Sequence, residues 1–266
     1  MSLKKILATA FATLVIAGCG TPPKFQERRQ SVADNKVTLG SSQLVQQTNH
    51  MTQHLNSEKT ILYTQPYGGG GVGLGLLLGP IGVAANVAMI ESATKADAQR
   101  LFGKILIDPI QSFTKSAKSA GIDLTGSSSI SVTPYLYVAK VSESSINIGV
   151  ALISEQGSQP PAKYMYQLPR TYTIEDLSSL DQTRQEELKF NVDSAFTRLA
   201  AFYLKDSGPS NAPESKIQFK SSFLAPRFEF VLQGTVAQKE DDVTWIRTFG
   251  GVYGLQSSTF SLSAAN

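Results

Sequence analysis

The chain has one cysteine, two histidines and one tryptophan in 266 residues. A lone thiol excludes an intramolecular disulfide and any cysteine-based zinc or redox centre within one chain, so packing alone must hold the fold. An excess of one charge is also missing. Setting aside residues 1–18, which contain Lys4 and Lys5, takes the 24 basic side chains to 22, against 21 acidic ones, with no cluster of either. Such a balance offers no electrostatic footprint for nucleic acid. No Walker-type Gly-Lys-Ser/Thr and no G-x-S-x-G occurs, which removes the usual signatures of a P-loop and of a serine-nucleophile elbow. Carboxylate pairs are present as Glu186-Glu187 and Asp241-Asp242. Neighbours on a helix do not face one another, and the second pair falls in a turn, so neither makes an acid–base couple. No catalytic residue and no cofactor is assigned.

What is there begins with MSLKKILATAFATLVIAG: two lysines, an apolar stretch from Ile6 to Ile16, then small residues. That is the three-part layout of a secretory signal, and its apolar core is short for a membrane span. It ends in Val15-Ile16-Ala17-Gly18-Cys19. An aliphatic residue, small residues and a cysteine in this order resemble the lipobox of bacterial lipoprotein precursors. The resemblance covers only the start of the chain and implies cleavage before Cys19, diacylglycerol on its thiol and acylation of the new amine. Several acyl chains, at roughly 0.8 kcal/mol per buried methylene, anchor firmly where one holds reversibly. By the rule of the family it resembles, Gly20 after the cysteine, in place of Asp, is compatible with sorting to the outer membrane, and the protein is expected there, facing the periplasm.

Residues 1–18 are thus expected to be removed, 19–42 to form a polar spacer carrying Pro22, Pro23 and the run Glu27-Arg28-Arg29, and 43–266 to form the folded body. Leu44, Met51 and Leu55 suggest a short helix over 44–55, and Thr60 to Thr64 a strand. Helices are expected over ADAQRLFGKIL (96–106), from Pro109 to Gly121, and from an Asp181 cap through Leu188, Val192, Phe196 and Tyr203. Alternation at Ile130, Val132, Leu136 and Val138, and at Ile146, Ile148, Val150 and Leu152, predicts a β-hairpin. Further strands are expected at 164–168, 228–232 and 243–249, with a turn from Lys239 to Asp242. Helical runs and strand runs without a regular βαβ alternation give an α+β fold: a largely antiparallel sheet with packed helices, with a sub-boundary, if any, at 207–214.

Residues 68–90, GGGGVGLGLLLGPIGVAANVAMI, contain no charged side chain. The formal G-x-G-x-x-G at Gly68, Gly70 and Gly73 follows from glycine richness, and nothing else supports a nucleotide site. Gly71, Gly75 and Gly79 form two small-xxx-small steps, the register that lets helices approach closely in membranes. Two readings stand: a membrane-embedded or self-associating helix, or a glycine loop followed by a buried helix. His50, His54 and Glu58 lie four apart, which on a helix would offer one edge to a metal; exposed polar residues explain them as well. Tyr135, Tyr137, Tyr164, Tyr166 and Tyr172 would either form a sugar- or peptide-binding face or sit as amphipathic residues on sheet faces.

The functional expectation is a lipid-anchored envelope lipoprotein, not an enzyme, acting as a binding or assembly component with an envelope protein partner or with itself. The alternatives are an oligomeric membrane-inserted complex or channel built through 68–90 and, last, a cell-wall hydrolase.

Overall fold

The computed structural model describes residues 24–28, 35–65, 79–124, 127–207, 214–225 and 230–262, with the side chains of 79–86 left aside. Among them, eleven strands form one mixed, mostly antiparallel sheet accompanied by five helices, an arrangement compatible with α+β in which the sheet dominates more than the sequence suggests. No helix among the described residues is long and apolar enough to cross a membrane.

Two antiparallel meanders build the sheet. The first is β4 (Ile130–Lys140), β5 (Ile146–Gln156) and β6 (Ala162–Tyr172). The second is β7 (Ser215–Ser221), β8 (Leu232–Lys239), β9 (Val243–Thr248) and β10 (Gly251–Gln256), with the short β11 (Phe260–Leu262) paired to β7. The meanders join where β10 runs parallel to β6, Val252 opposite Tyr164. The expected sub-boundary at 207–214 therefore falls between two parts of one sheet. The free edge of β4 is shared. Strand β1 (Thr38–Leu39) pairs in parallel with Ser131 and Val132, and β3 (Ile61–Thr64) pairs in parallel with Leu136 to Ala139. Strand β2 (Thr52–His54) pairs antiparallel with β3 and lies at the sheet's end.

The expected helix over 44–55 is only one turn, α1 (Gln43–Gln46), capped by the Ser42 hydroxyl. Leu44 is 58% exposed, and the chain turns at Asn49 so that 52–54 enter the sheet. The backbone of β3 needs an edge partner, and that demand overrides a weak three-residue apolar pattern. Helix α2 (Gly79–Leu101) stops short of 106, and Gly103 follows at φ 69°, donating its N–H to the Leu55 carbonyl. Helix α3 (Pro109–Ala120) has the Asp108 carboxylate on the Ile110 and Gln111 N–H groups, with proline at its start and Gly121 in the left-handed conformation at its end. Helix α4 (Ile174–Ser178) opens on a Thr173–Asp176 capping box, and α5 (Gln182–Lys205) on Asp181, which accepts from Arg184 N–H.

One sheet face lies under α3 and α5. Ile130, Val132, Leu136, Ile148, Val150, Leu152, Leu168 and Trp245 meet Phe113, Leu188, Val192, Phe196 and Leu199 there, and the Phe202 and Trp245 rings stack 3.9 Å apart. The other face has a second core of Tyr135, Ala151, Ile153, Met165, Phe219, Phe223, Ile246, Tyr253 and Leu255. Phe223, past the end of β7, touches Tyr137 of β4 edge-on at 5.9 Å although five strands stand between β7 and β4. A sheet that makes this contact must roll up around its second core. Gly149 on β5 permits it, because a Cβ there would stand 3.2 Å from the Phe223 ring. Of the segment 228–232, expected as a strand, residues 228 and 229 lie outside the described residues, 230 and 231 belong to no strand, and β8 begins at Leu232 and extends to Lys239, where a turn was expected.

Candidate functional site

Part of the expected spacer belongs to the body. Gln26 N–H donates to the Thr248 carbonyl at 2.8 Å, and the Gln26 side-chain Oε1 accepts from Lys163 N–H at 2.7 Å, bridging the last residue of β9 and the second of β6. Further on, Ser42 is buried, with its N–H on Thr133 Oγ1 and its hydroxyl on Glu155. A polar sequence reads as a linker, yet its backbone groups are what an open sheet end and edge lack.

A buried ionic group fastens this segment. Arg247, on β9 with 5% of its side chain exposed, forks onto Asp206 at the end of α5: Nη2 to Oδ1 at 2.5 Å and Nη1 to Oδ2 at 3.3 Å. Its Nε contacts both Glu214 oxygens at 3.2 Å, and Nη1 also donates to the Gln26 carbonyl at 3.3 Å. Tyr164 OH donates to Asp206 at 3.0 Å, Thr235 Oγ1 donates to Glu214, and Arg28 reaches Glu214 at 3.3 Å. Burial works against the Arg247 cation, but the hydrogen bond and charge of Asp206 outweigh it and hold its pKa above the ordinary value. Burial likewise opposes the Glu214 carboxylate, and the Thr235 hydroxyl with the Arg247 charge still brings its pKa below the usual carboxylate value. Burial pushes the Tyr164 phenol well up, and the Asp206 charge adds to it.

Beside Gln26, on the second face, Lys163 Nζ lies 5.2 Å from the Tyr137 ring centroid and 5.8 Å from that of Tyr253. Burial lowers its pKa to about 8 and raises Tyr137 to about 12. Tyr253 anchors its hydroxyl on the Gly250 carbonyl at 2.8 Å.

Between the docked segment and the β5–β6 turn lies a cavity of about 480 Å³, lined by Phe25, Gln26, Arg28, Ser154, Pro160 and Phe249 among others. Its size is in the range of small-ligand sites, roughly 300–1,000 Å³. Gln26 Nε2 is buried without a hydrogen-bond partner among the described residues. The Lys163 N–H fixes the amide's orientation by claiming Oε1, so the amino group is the half left to seek an acceptor. No protein-family model matches this chain, no curated protein matches its sequence, and no solved structure matches its fold.

The residues singled out from the sequence fall elsewhere. Cys19, Gly71 and Gly75, with Gly68, Gly70 and Gly73, lie outside the described residues, and Gly79 is the first residue of α2. His50 stands in a turn, His54 lies on β2 with Nε2 2.8 Å from the Val45 carbonyl, and Glu58 sits in the exposed turn before β3. The helix that would have aligned them is absent, and no described group of three His, Cys, Asp or Glu residues is placed to hold a metal ion. The five tyrosines do not share a face. Tyr164, Tyr166 and Tyr172 pack in the core under the helices, and Tyr135 and Tyr137 in the core on the other side. The ionic group was missed, although β9 carried a signal: Arg247 continues the alternation of Val243 and Trp245, so a cation occupies an inward position that demands a buried carboxylate.

Proposed function

We propose that this chain is a lipid-anchored envelope lipoprotein, carried by Cys19, outer-membrane located and facing the periplasm, that binds a partner protein and is not an enzyme. The observation that carries the binding reading is a cavity whose wall is formed by residues just past the anchor, among them Gln26, whose buried amino group is orphaned. Leaving a buried donor unsatisfied costs about 1–3 kcal/mol, a cost that a ligand with an acceptor removes. The lining mixes phenyl and proline surfaces with side-chain amides, which suits an extended peptide segment whose backbone carbonyl accepts from Gln26 Nε2. The preferred occupant is therefore a strand or loop of another envelope protein.

Two measurements test this. Fatty-acid labelling marks the wild type and spares Cys19→Ser, which also stays uncleaved; label surviving that substitution removes the anchor from the account. A photo-cross-linking residue at Gln159, on the cavity rim, yields a discrete protein adduct in membranes, weakened by Gln26→Leu. The same probe at Ser144, in the β4–β5 turn, yields none. Equal adducts at both sites would defeat the cavity reading.

A further inference from the structure

The tether is too short to let the body turn freely. Four residues, Gly20 to Pro23, lie between Cys19 and Lys24, so the tether spans five Cα-to-Cα steps and reaches at most about 18 Å even fully extended. A chain of about 240 residues has a radius of gyration of roughly 18 Å, so the body is about 45 Å across. A tether of less than half that width restricts the contact with a bilayer to the end where residue 24 emerges.

Strand register shows what else is at that end. Strands β6 and β10 begin there, β9 and β5 finish there, and Gln26 is bonded to Thr248. The next residue, Phe249, is 60% exposed. On the neighbouring strand Thr235 is opposite Arg247, so Phe230 and Val231, ahead of Leu232, project past the same end. They are 60% and 48% exposed. Pro160 and Pro161 of the β5–β6 turn complete this surface, with Lys24 beside them. Exposed aromatic rings with an adjacent cation suit the boundary between lipid headgroups and acyl chains. At the opposite end, beyond the eleven residues of β5 and thus about 36 Å away, the β4–β5 turn presents Ser142, Glu143, Ser144 and Ser145.

We infer that the end formed by Lys24, Phe25, Phe249, Phe230 and Val231 rests on the bilayer that holds the acylated Cys19, so that the Gln26 cavity is within reach of the headgroups. The inference rests on acylation of Cys19, and its test separates the two. An acylated Cys19 has no free thiol, so the wild type takes up no maleimide, and Phe249→Cys and Ser144→Cys each take up one. Uptake of one label by the mature wild type would overturn the acylation and, with it, this orientation.

With single labelling in hand, each labelled variant is placed in vesicles of phosphatidylethanolamine and phosphatidylglycerol containing a headgroup spin-labelled lipid. A fluorophore at 249 is quenched several-fold more than one at 144. A third site, Gln159→Cys on the cavity rim, gives quenching close to that at 249. Equal quenching at 249 and 144, or stronger quenching at 144, overturns the orientation while leaving the anchor intact. Phe249 and Ser144 are both exposed turn positions, so neither substitution disturbs the core.

Discussion

Replacing Arg247 by methionine tests whether the docked N-terminal segment is held by the buried ionic group. The substitution keeps most of the volume but strips Asp206 of its two contacts and Glu214 of its Nε partner. Asp206, with 2% of its side chain exposed, keeps only the Tyr164 hydroxyl among its side-chain partners in the described residues, whereas Glu214 retains Thr235 and Arg28. Breaking a buried pair by removing one partner costs about 3–5 kcal/mol. For a body of this size each kcal/mol moves Tm by roughly 2–4 °C, so a fall of about 6–20 °C is expected in thermal unfolding followed by circular dichroism. Loss of the Arg247 contact to the Gln26 carbonyl adds a local signature: trypsin cuts after Lys24 and Arg28 at temperatures where the rest of the chain stays resistant. The double variant Asp206→Asn with Arg247→Met removes the stranded charge and recovers part of the loss. Arg28→Ala, at a pair with 26% and 18% of its side chains exposed, costs about 1 kcal/mol or less. A Tm for Arg247→Met within about 1 °C of wild type, with unchanged proteolysis, would refute the reasoning, given that surface substitutions alone stay within about 0.5 kcal/mol.

Other consequences are more local. The ordinary lysine pKa is 10.5 and that of Lys163 is about 8, so between these values the unfolded chain binds more protons and stability rises with pH. Tyr137, raised from 10.0 to about 12, acts oppositely: above pH 10 the unfolded chain loses its proton first and stability falls. Urea midpoints should thus rise from pH 8 to 10 and fall beyond it, and Lys163→Met should flatten the rise alone; a rise that persists in that variant assigns it elsewhere. Gly234→Ala places a Cβ 2.7 Å from the Ile246 side chain and 2.8 Å from the Arg247 carbonyl, so it destabilises by about 1–3 kcal/mol in urea unfolding. Phe202→Ala removes the ring stacked on Trp245 and costs about 3–5 kcal/mol, with a changed tryptophan emission maximum.

Legibility from the sequence followed the strength of local pattern. The β4–β5 hairpin, the Asp181 cap and the α3 stop at Gly121 were visible because periodicity and capping chemistry agree there. Strand β10 was not, because GVYGLQ is buried along its whole length in the middle of the sheet and so does not alternate. Helix 44–55 failed because three apolar residues in twelve are a weak amphipathic signal, and edge pairing on β3 and β4 decided the outcome. The site was the least legible part. Gln26 with Arg28, Asp206, Glu214 and Arg247 come from four separate stretches of chain, and only the inward register of Arg247 hinted that partners exist. Residues 24–28 read as linker because polarity describes side chains, whereas their docking role is mainly that of the Gln26 amide and its backbone.

The proposed orientation and location both depend on the first residue of the mature chain. Mass spectrometry of the N-terminal peptide from detergent-extracted protein tests it directly. The account predicts that the peptide begins at Cys19 and carries a diacylglyceryl thioether with an acylated amine. A peptide beginning at any other residue, or at Cys19 with a free thiol, would contradict it.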